Sequence, residues 1–258
     1  MKHSRTTRSA QPAWSVFPEL EPSGAGPQFG PARHPVAPKL QLVESADEAA
    51  ETGQLRATVL SFSNFHRHGE LFASYMRARK AVFIDRLHWK LACHDGMEFD
   101  QYDTPFARWV VIHEFGEVMA GVRLLPTTAR VGLHSYMLRD AQRGLLENIP
   151  SDVLFFEAPV EDRIWEATRL FIADSVPGQR RLAVQNVLMR NFARAARAGG
   201  ASHVIGIVPA VWSRWLRRLD LGAVPVGPRF SIDGTASQAA LFNVTERGVP
   251  RMDRSLNI

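Results

Sequence analysis

"ARWVVIHEFGEVMAGVRLL", residues 107–125, is the stretch whose reading decides the fold. Two runs rich in Val, Ile, Met and Leu are separated at Phe115-Gly116, so the stretch is expected to form two strands joined around that pair. Arg123 falls late in the second strand and Pro126 ends it. Upstream, "RATVLSF" (56–62) predicts a short strand, followed by a helix from about Gly69 to Ile84. Arg79 and Phe83 are four residues apart on that helix and share a face. The polar "HWKLACHDGMEFDQYD" (88–103) reads as irregular. Downstream, residues 133–149 read as a loop and an amphipathic helix, and Ile164 to Ala173 as a further strand. In "RRLAVQNVLMRNFARAARAGG" (180–200), helical spacing puts Val184, Val187, Leu188, Phe192, Ala195 and Ala196 on one face. Arg190, Arg194 and Arg197 fall outside it, and Gly199 and Gly200 end the helix. "HVIGIV" (203–208) is a short apolar strand and "QAALFNV" (238–244) a closing one. Between them "AVWSRWLRRL" (210–219) predicts a helix with Val211, Trp212, Trp215, Leu216 and Leu219 inward. An early hairpin followed by strands alternating with helices indicates the α/β class, a mixed sheet covered by helices.

At 258 residues the chain is long enough for one main domain with a hydrophobic core of its own. Seven of its sixteen prolines lie in residues 1–40, where "EPSGAGPQFGPARHPVAP" (21–38) has too few regularly spaced apolar residues to build an element. Residues 1–55 are therefore expected to be a disordered N-terminal extension, with the folded domain at 56–258. The formal charge is +5, and the extension holds five Lys/Arg against six Asp/Glu, so the basic excess belongs to the folded part and favours acidic partners. The helix from Arg180 to Arg197, with Arg214, Arg217 and Arg218, offers such a partner a surface; a solvated helix face would carry the same charges. No zinc spacing, helix-turn-helix signature or aromatic RNA-binding motif is present, so no specific nucleic-acid binding is expected. No apolar run reaches the ~18 to 20 residues of a membrane span. The opening "MKHSRTTRSAQPAW" has no apolar stretch to act as a signal peptide, and a cytoplasmic location is expected. Cys93, the single cysteine, is expected to serve packing. His88, His94, His113, His134 and His203 show no metal-ligand spacing with it, so no metal is expected.

"RIWEATRLF" (163–171) sets Glu166 and Arg169 among bulky apolar residues, where a charge is expensive unless it is paired or used. On a regular strand Glu166 and Thr168 face one way and Trp165, Ala167 and Arg169 the other. Glu166 and Arg169 then share a site only through a bulge or a curved sheet. In isolation the pair reads as a structural ion pair, but it does not stand alone. "RKAVFIDRLHW" (79–89), "EFDQYD" (98–103), "GVRLLPT" (121–127) and "WEATR" (165–169) carry Arg79, Phe83, Trp89, Asp100, Asp103, Arg123, Glu166 and Arg169 in order. Over about residues 56–245 the chain resembles the LuxI-type acyl-homoserine-lactone synthases, which make quorum-sensing signals.

The resemblance implies a GNAT-like fold, a bent mixed sheet split by a V-shaped cleft. It also implies transfer of an acyl group from acyl carrier protein, or acyl-CoA, to the amine of S-adenosylmethionine. The methionyl carboxylate then closes onto its own γ-carbon and expels methylthioadenosine. S-adenosylmethionine is thus a substrate, and no cofactor or metal is implied. An α-amine with a reference pKa of ~7.7 to 8.0 must lose a proton before it attacks a thioester. Glu166 is the candidate base, directly or through a water, with orientation of the ammonium as its alternative role. Thr168 is placed to position the amine or that water, and main-chain N–H groups at a strand irregularity are the candidate oxyanion donors. Phe83 and Trp89 offer aromatic faces to the cation, and Asp100 and Asp103 add negative potential. Arg79, Arg123 and Arg169 neutralise a carboxylate or the acidic pair, although a purely structural network is the alternative, most of all for Arg123. Gly206 stands on the strand where members that favour 3-oxo chains commonly carry Thr, which argues against a 3-oxo substrate. Leu170 replaces the family's Phe and alters the cleft's shape. Met137, Leu138, Leu145, Leu146 and the Val184–Phe192 face are candidates for the chain pocket or for ordinary core. Two other readings remain: a related N-acyltransferase acting on another amine such as an amino acid, and a non-catalytic acyl-carrier or nucleic-acid binding module.

Overall fold

The computed structural model describes residues 55–209, 223–232 and 234–245. The expectations for the N-terminal extension, and for the helix at 210–219 with Arg214, Arg217 and Arg218, lie outside the described residues. The hairpin forms as the sequence predicts, from β4 (Arg108–Glu114) and β5 (Glu117–Pro126), after β1 (Arg56–Leu60). Phe115 (φ +48°) and Gly116 (φ +89°) are both left-handed, the backbone of a two-residue turn whose twist matches its strands.

β1 is followed by α1 (Leu71–Lys80), a six-residue π-helical segment (Ala81–Arg86) and a small hairpin of β2 (Cys93–His94) and β3 (Met97–Glu98). After β5 come α2 (Met137–Gln142), β6 (Ile164–Ile172), α3 (Gly178–Ala198), β7 (His203–Pro209), β8 (Ala223–Ile232) and β9 (Thr235–Asn243). The main sheet runs β1-β4-β5-β6-β7-β9-β8, with β6 and β7 its parallel pair and the other pairs antiparallel.

Apolar residues cover both faces of this sheet. On one, Val184, Leu188 and Phe192 of α3 pack on Val110, Val122, Leu124 and Val204. On the other, Tyr75 and Met76 of α1 and Leu138 of α2 join Trp109, Leu125, Phe171 and Ile205. No helix among the described residues is long and apolar enough to cross a membrane.

Two irregularities shape the site. β6 and β7 pair only from Ile164–His203 to Ala167–Gly206, and beyond that point they part, opening the sheet. Gly206 sits at the fork because nothing larger fits: a Cβ there would lie 2.7 Å from the Ala167 carbonyl oxygen. Immediately beyond, Arg123 pairs Thr168 while Gly121 pairs Phe171, so β6 carries one residue more than β5 across the same span. Arg169 absorbs the bulge at φ +54°.

Four expectations need correction. The helix from Gly69 to Ile84 is α-helical only to Lys80 and then widens into the π segment. The helix expected within 133–149 is only Met137–Gln142. Cys93 does not pack but is exposed on β2. On α3, Val187 is half-buried and Met189 and Ala193 take the inner face with Val184 and Phe192. β8 was not foreseen because Pro225 and Pro228 interrupt its pattern, but it is one of the sheet's two edge strands, where a missing N–H costs least.

Candidate functional site

The fork opens into a cleft of about 480 Å³ that reaches residues of both core faces, from Met137, Leu146 and Ile207 to Met189, Phe192 and Phe242. Of the residues singled out in the sequence, Phe83, Trp89, Asp100, Thr168, Arg169 and Gly206 line it. Arg79, Asp103, Arg123 and Glu166 are buried side chains outside that lining.

Arg79, Asp100, Asp103, Arg123 and Arg169 form one connected network. Arg79 donates to both oxygens of Asp103, Nη1 at 2.7 Å and Nη2 at 3.0 Å. Arg123 donates from Nη2 to Asp100 at 3.0 Å, from Nε to Thr168 Oγ1 at 2.9 Å, and contacts Asp103 Oδ1 at 3.0 Å through Nη1. Arg169 reaches Asp100 at 2.8 Å. Burial alone would raise the Asp100 carboxyl, but Arg123 and Arg169 outweigh it and hold it below its usual range. Arg123 and Arg79 do the same for Asp103. The sequence reading missed Glu98, which is fully buried between Arg79 and Arg169. Its only trace in the sequence is that Glu98 opens the quoted "EFDQYD"; the positive charge it balances, three arginines against two aspartates, emerges once the fold buries them together.

The bulge explains how Arg169 joins this network. Glu166 and Thr168 face the α2 side of the sheet, as alternation requires, and the left-handed turn at Arg169 brings its side chain to the same side. There its guanidinium lies 5.5 Å from the centre of the Phe83 ring, which also stacks on Trp89 at 5.1 Å. Phe83 is thus already engaged by a cation of the protein itself.

Glu166 lies apart. It is 1% exposed, and its oxygens accept the main-chain N–H groups of Met137 at 2.9 Å and Leu138 at 2.8 Å, the first two residues of α2. Tyr136, which precedes that helix, makes no side-chain cap, so Glu166 caps it from a distant strand. Burial pushes the Glu166 carboxyl up to about 7, against the Leu138 and Met137 N–H groups and the more distant Arg123, which favour the charged form. A carboxyl group poised there can take a proton near neutrality. Among the candidates for the acyl pocket, Met137, Leu145, Leu146 and Phe192 line the cleft, joined by Met189, which the sequence had not placed there, whereas Leu138, Val184 and Leu188 are core. On α3, Arg180 pairs with Glu114 at 2.9 Å and Arg197 donates to the Val244 carbonyl, while Arg190 and Arg194 are exposed.

The sequence profile of the autoinducer synthase family matches residues 64–251. An acyl-homoserine-lactone synthase of Aeromonas salmonicida is 32% identical over 172 residues, 65% of this chain and 77% of that protein. One of Acinetobacter nosocomialis is 30% identical over 193 residues, 72% of this chain and 98% of that protein. Among solved structures, TofI in a ternary complex with an inhibitor and MTA is 26% identical, with a TM-score of 0.58 over 73% of this chain and 91% of that one. The CoA-dependent acyl-homoserine lactone synthase BjaI, with SAM and isopentyl-CoA, shares the fold at 22% identity and a TM-score of 0.61, over 75% of this chain and 85% of that one.

Proposed function

The chain belongs to the autoinducer synthase family, and from that premise we propose that it is an acyl-homoserine-lactone synthase, an acyltransferase that acylates the amine of S-adenosylmethionine and releases methylthioadenosine as the lactone closes. The observation that carries this reading is Glu166: a buried carboxyl group at about 7, next but one along β6 to Thr168 on the cleft wall. Glu166 removes the proton that the α-ammonium must lose, directly or through a water. Thr168 Oγ1 already accepts from Arg123, which leaves its own O–H to donate to the amine or to that water. The thioester carbonyl lies at the fork, where the main-chain N–H groups of the Arg169–Leu170 bulge are the proposed oxyanion donors.

Asp100 is the carboxylate of the network that reaches the cleft wall, and it faces the cationic end of the substrate together with Trp89. Arg169, on the same wall, faces the substrate carboxylate. Arg79, Arg123, Glu98 and Asp103 hold those two in place from behind. The sulfonium compound is consumed and is therefore a substrate rather than a cofactor. The acyl donor is a thioester of acyl carrier protein or of coenzyme A, and the absence of a side chain at Gly206 disfavours selection of a 3-oxo group. The test is mass spectrometry of culture extract from cells expressing the chain, followed by assay of the purified protein with S-adenosylmethionine and a series of thioesters. An acyl-homoserine lactone and stoichiometric methylthioadenosine are expected. An acylated amine with no lactone ring would assign the protein to a different acyltransfer.

A further inference from the structure

α2 is six residues long, too short to be stable alone, yet its first turn supplies both hydrogen bonds to Glu166. A second buried acid sits beside that turn. Asp140 is fully buried on α2 and accepts the main-chain N–H of Ser135 through both oxygens, at 3.1 and 3.2 Å. Its Oδ2 also accepts the Tyr102 hydroxyl at 3.1 Å and faces His134 Nδ1 at 3.0 Å, with Arg143 Nη1 3.7 Å from Oδ1. With its proton on Nδ1, His134 is a further donor to Asp140. Tyr102 binds at both ends: its main-chain N–H donates to Asp100 at 2.8 Å, its hydroxyl to Asp140, and it lines the cleft.

We propose that Tyr102, Asp140 and His134 form a positioning unit that clamps the first turn of α2 against Glu166, linking the ionic network at Asp100 to the group that deprotonates the substrate. The clamp acts on residues 134–136, the segment that leads directly into Met137 and Leu138. If it loosens, the two N–H groups no longer meet the carboxylate squarely, and the charged form of Glu166 loses its main stabilisation. The groups acting on Glu166 are these two N–H groups and Arg123, which favour its charge, and Asp100, which opposes it. Tyr102 and Tyr136 stand near it from the "EFDQYD" segment and from the residue before α2. Asp140 itself is faced by Tyr102, His134, Ser135 and Arg143.

The inference rests on Glu166 as the base, and the experiment separates the two ideas. The pH profile of kcat/KM is measured for the parent, Glu166→Gln, Tyr102→Phe, His134→Ala and His134→Asn, using the acyl donor that supports turnover, with melting curves for each. Tyr102→Phe changes no charge, and by loosening the N–H donors of Glu166 it raises that group's pKa. The acid limb is expected to move to higher pH by about half a unit to one unit, with kcat down about tenfold and KM for S-adenosylmethionine within about twofold. His134→Ala moves it the same way, and His134→Asn restores it because the amide N–H takes the place of Nδ1–H. Unmoved limbs in both Tyr102→Phe and His134→Ala, or lower kcat with the parent's profile, overturn the positioning role. An active Glu166→Gln overturns the base assignment beneath it.

Discussion

Two buried sets of charges meet beside one cleft, and they are solved in opposite ways. In the network, Arg79, Arg123 and Arg169 face Glu98, Asp100 and Asp103, three against three, and the two aspartates titrate below their usual range. Glu166, next but one along β6 to Thr168 on the same wall, has two main-chain N–H groups and, among the described residues, no cation in contact, and its carboxyl is pushed up to about 7. Full pairing fixes a set of charges in one state and makes it a framework. A carboxylate with only dipoles for partners is left close to the point where it gains or loses a proton, as acid–base chemistry requires. The contrast teaches that matched charge holds the cleft in shape, while in the proposed reaction the unmatched carboxyl behind its wall moves the proton.

The hardest blow to that contrast is Glu166→Gln, which keeps the side chain's size, removes the titration and leaves one of the two N–H groups without its acceptor. Turnover should fall by about 10² to 10⁴-fold, measured as methylthioadenosine release, while circular dichroism stays that of the parent. Breaking the framework should act on stability instead. Arg79→Met leaves Glu98 and Asp103 short of a partner in a site with no exposure, at a cost of about 3–5 kcal/mol, read from urea denaturation.

The pH dependence of folding sharpens the comparison further, because the two sets have opposite signs. Glu166 is raised from 4.5 to about 7, so its contribution to stability is complete below 4.5 and is lost as pH rises through 7. The loss amounts to about 3 kcal/mol. Asp100 and Asp103 are held down, so their contribution is present above 3.8 and is lost as pH falls through their folded values. Denaturation midpoints should therefore decline from about pH 5 to about pH 8, and the Glu166→Gln protein should lack that decline. Gly206→Ala presses a methyl group on the Ala167 carbonyl at the fork and should cost about 1–3 kcal/mol. Arg180→Met, at a partly solvated pair with Glu114, should cost no more than about 1 kcal/mol, the baseline against which the buried network is judged.

Much of this was legible in the chain. The hairpin around Phe115-Gly116, the long α3 with its apolar stripe and the strand bearing Glu166 follow from periods of two and 3.6, which local sequence carries. The residues that gather in and beside the cleft were also legible, since four ordered motifs place scattered arginines, aspartates and aromatics. Less legible were features that depend on partners. β8 was hidden by two prolines that only an edge position tolerates, and Glu98 by the lack of any local sign that it faces two arginines. Cys93 looked like core because cysteine usually is, and only the short β2–β3 hairpin exposed it.

The sequence by itself determined which residues carry charge into the interior and which segments bear them, because side-chain chemistry and hydrophobic spacing are local properties. Tertiary structure alone decided that three arginines would be matched by three acids, that a bulge would turn Arg169 to the side of Thr168, and that Glu166 would cap a helix nearly thirty residues away in the chain. The reason is physical: the state of a buried charge is set by whatever surrounds it in space, and those neighbours come from segments far apart along the polypeptide.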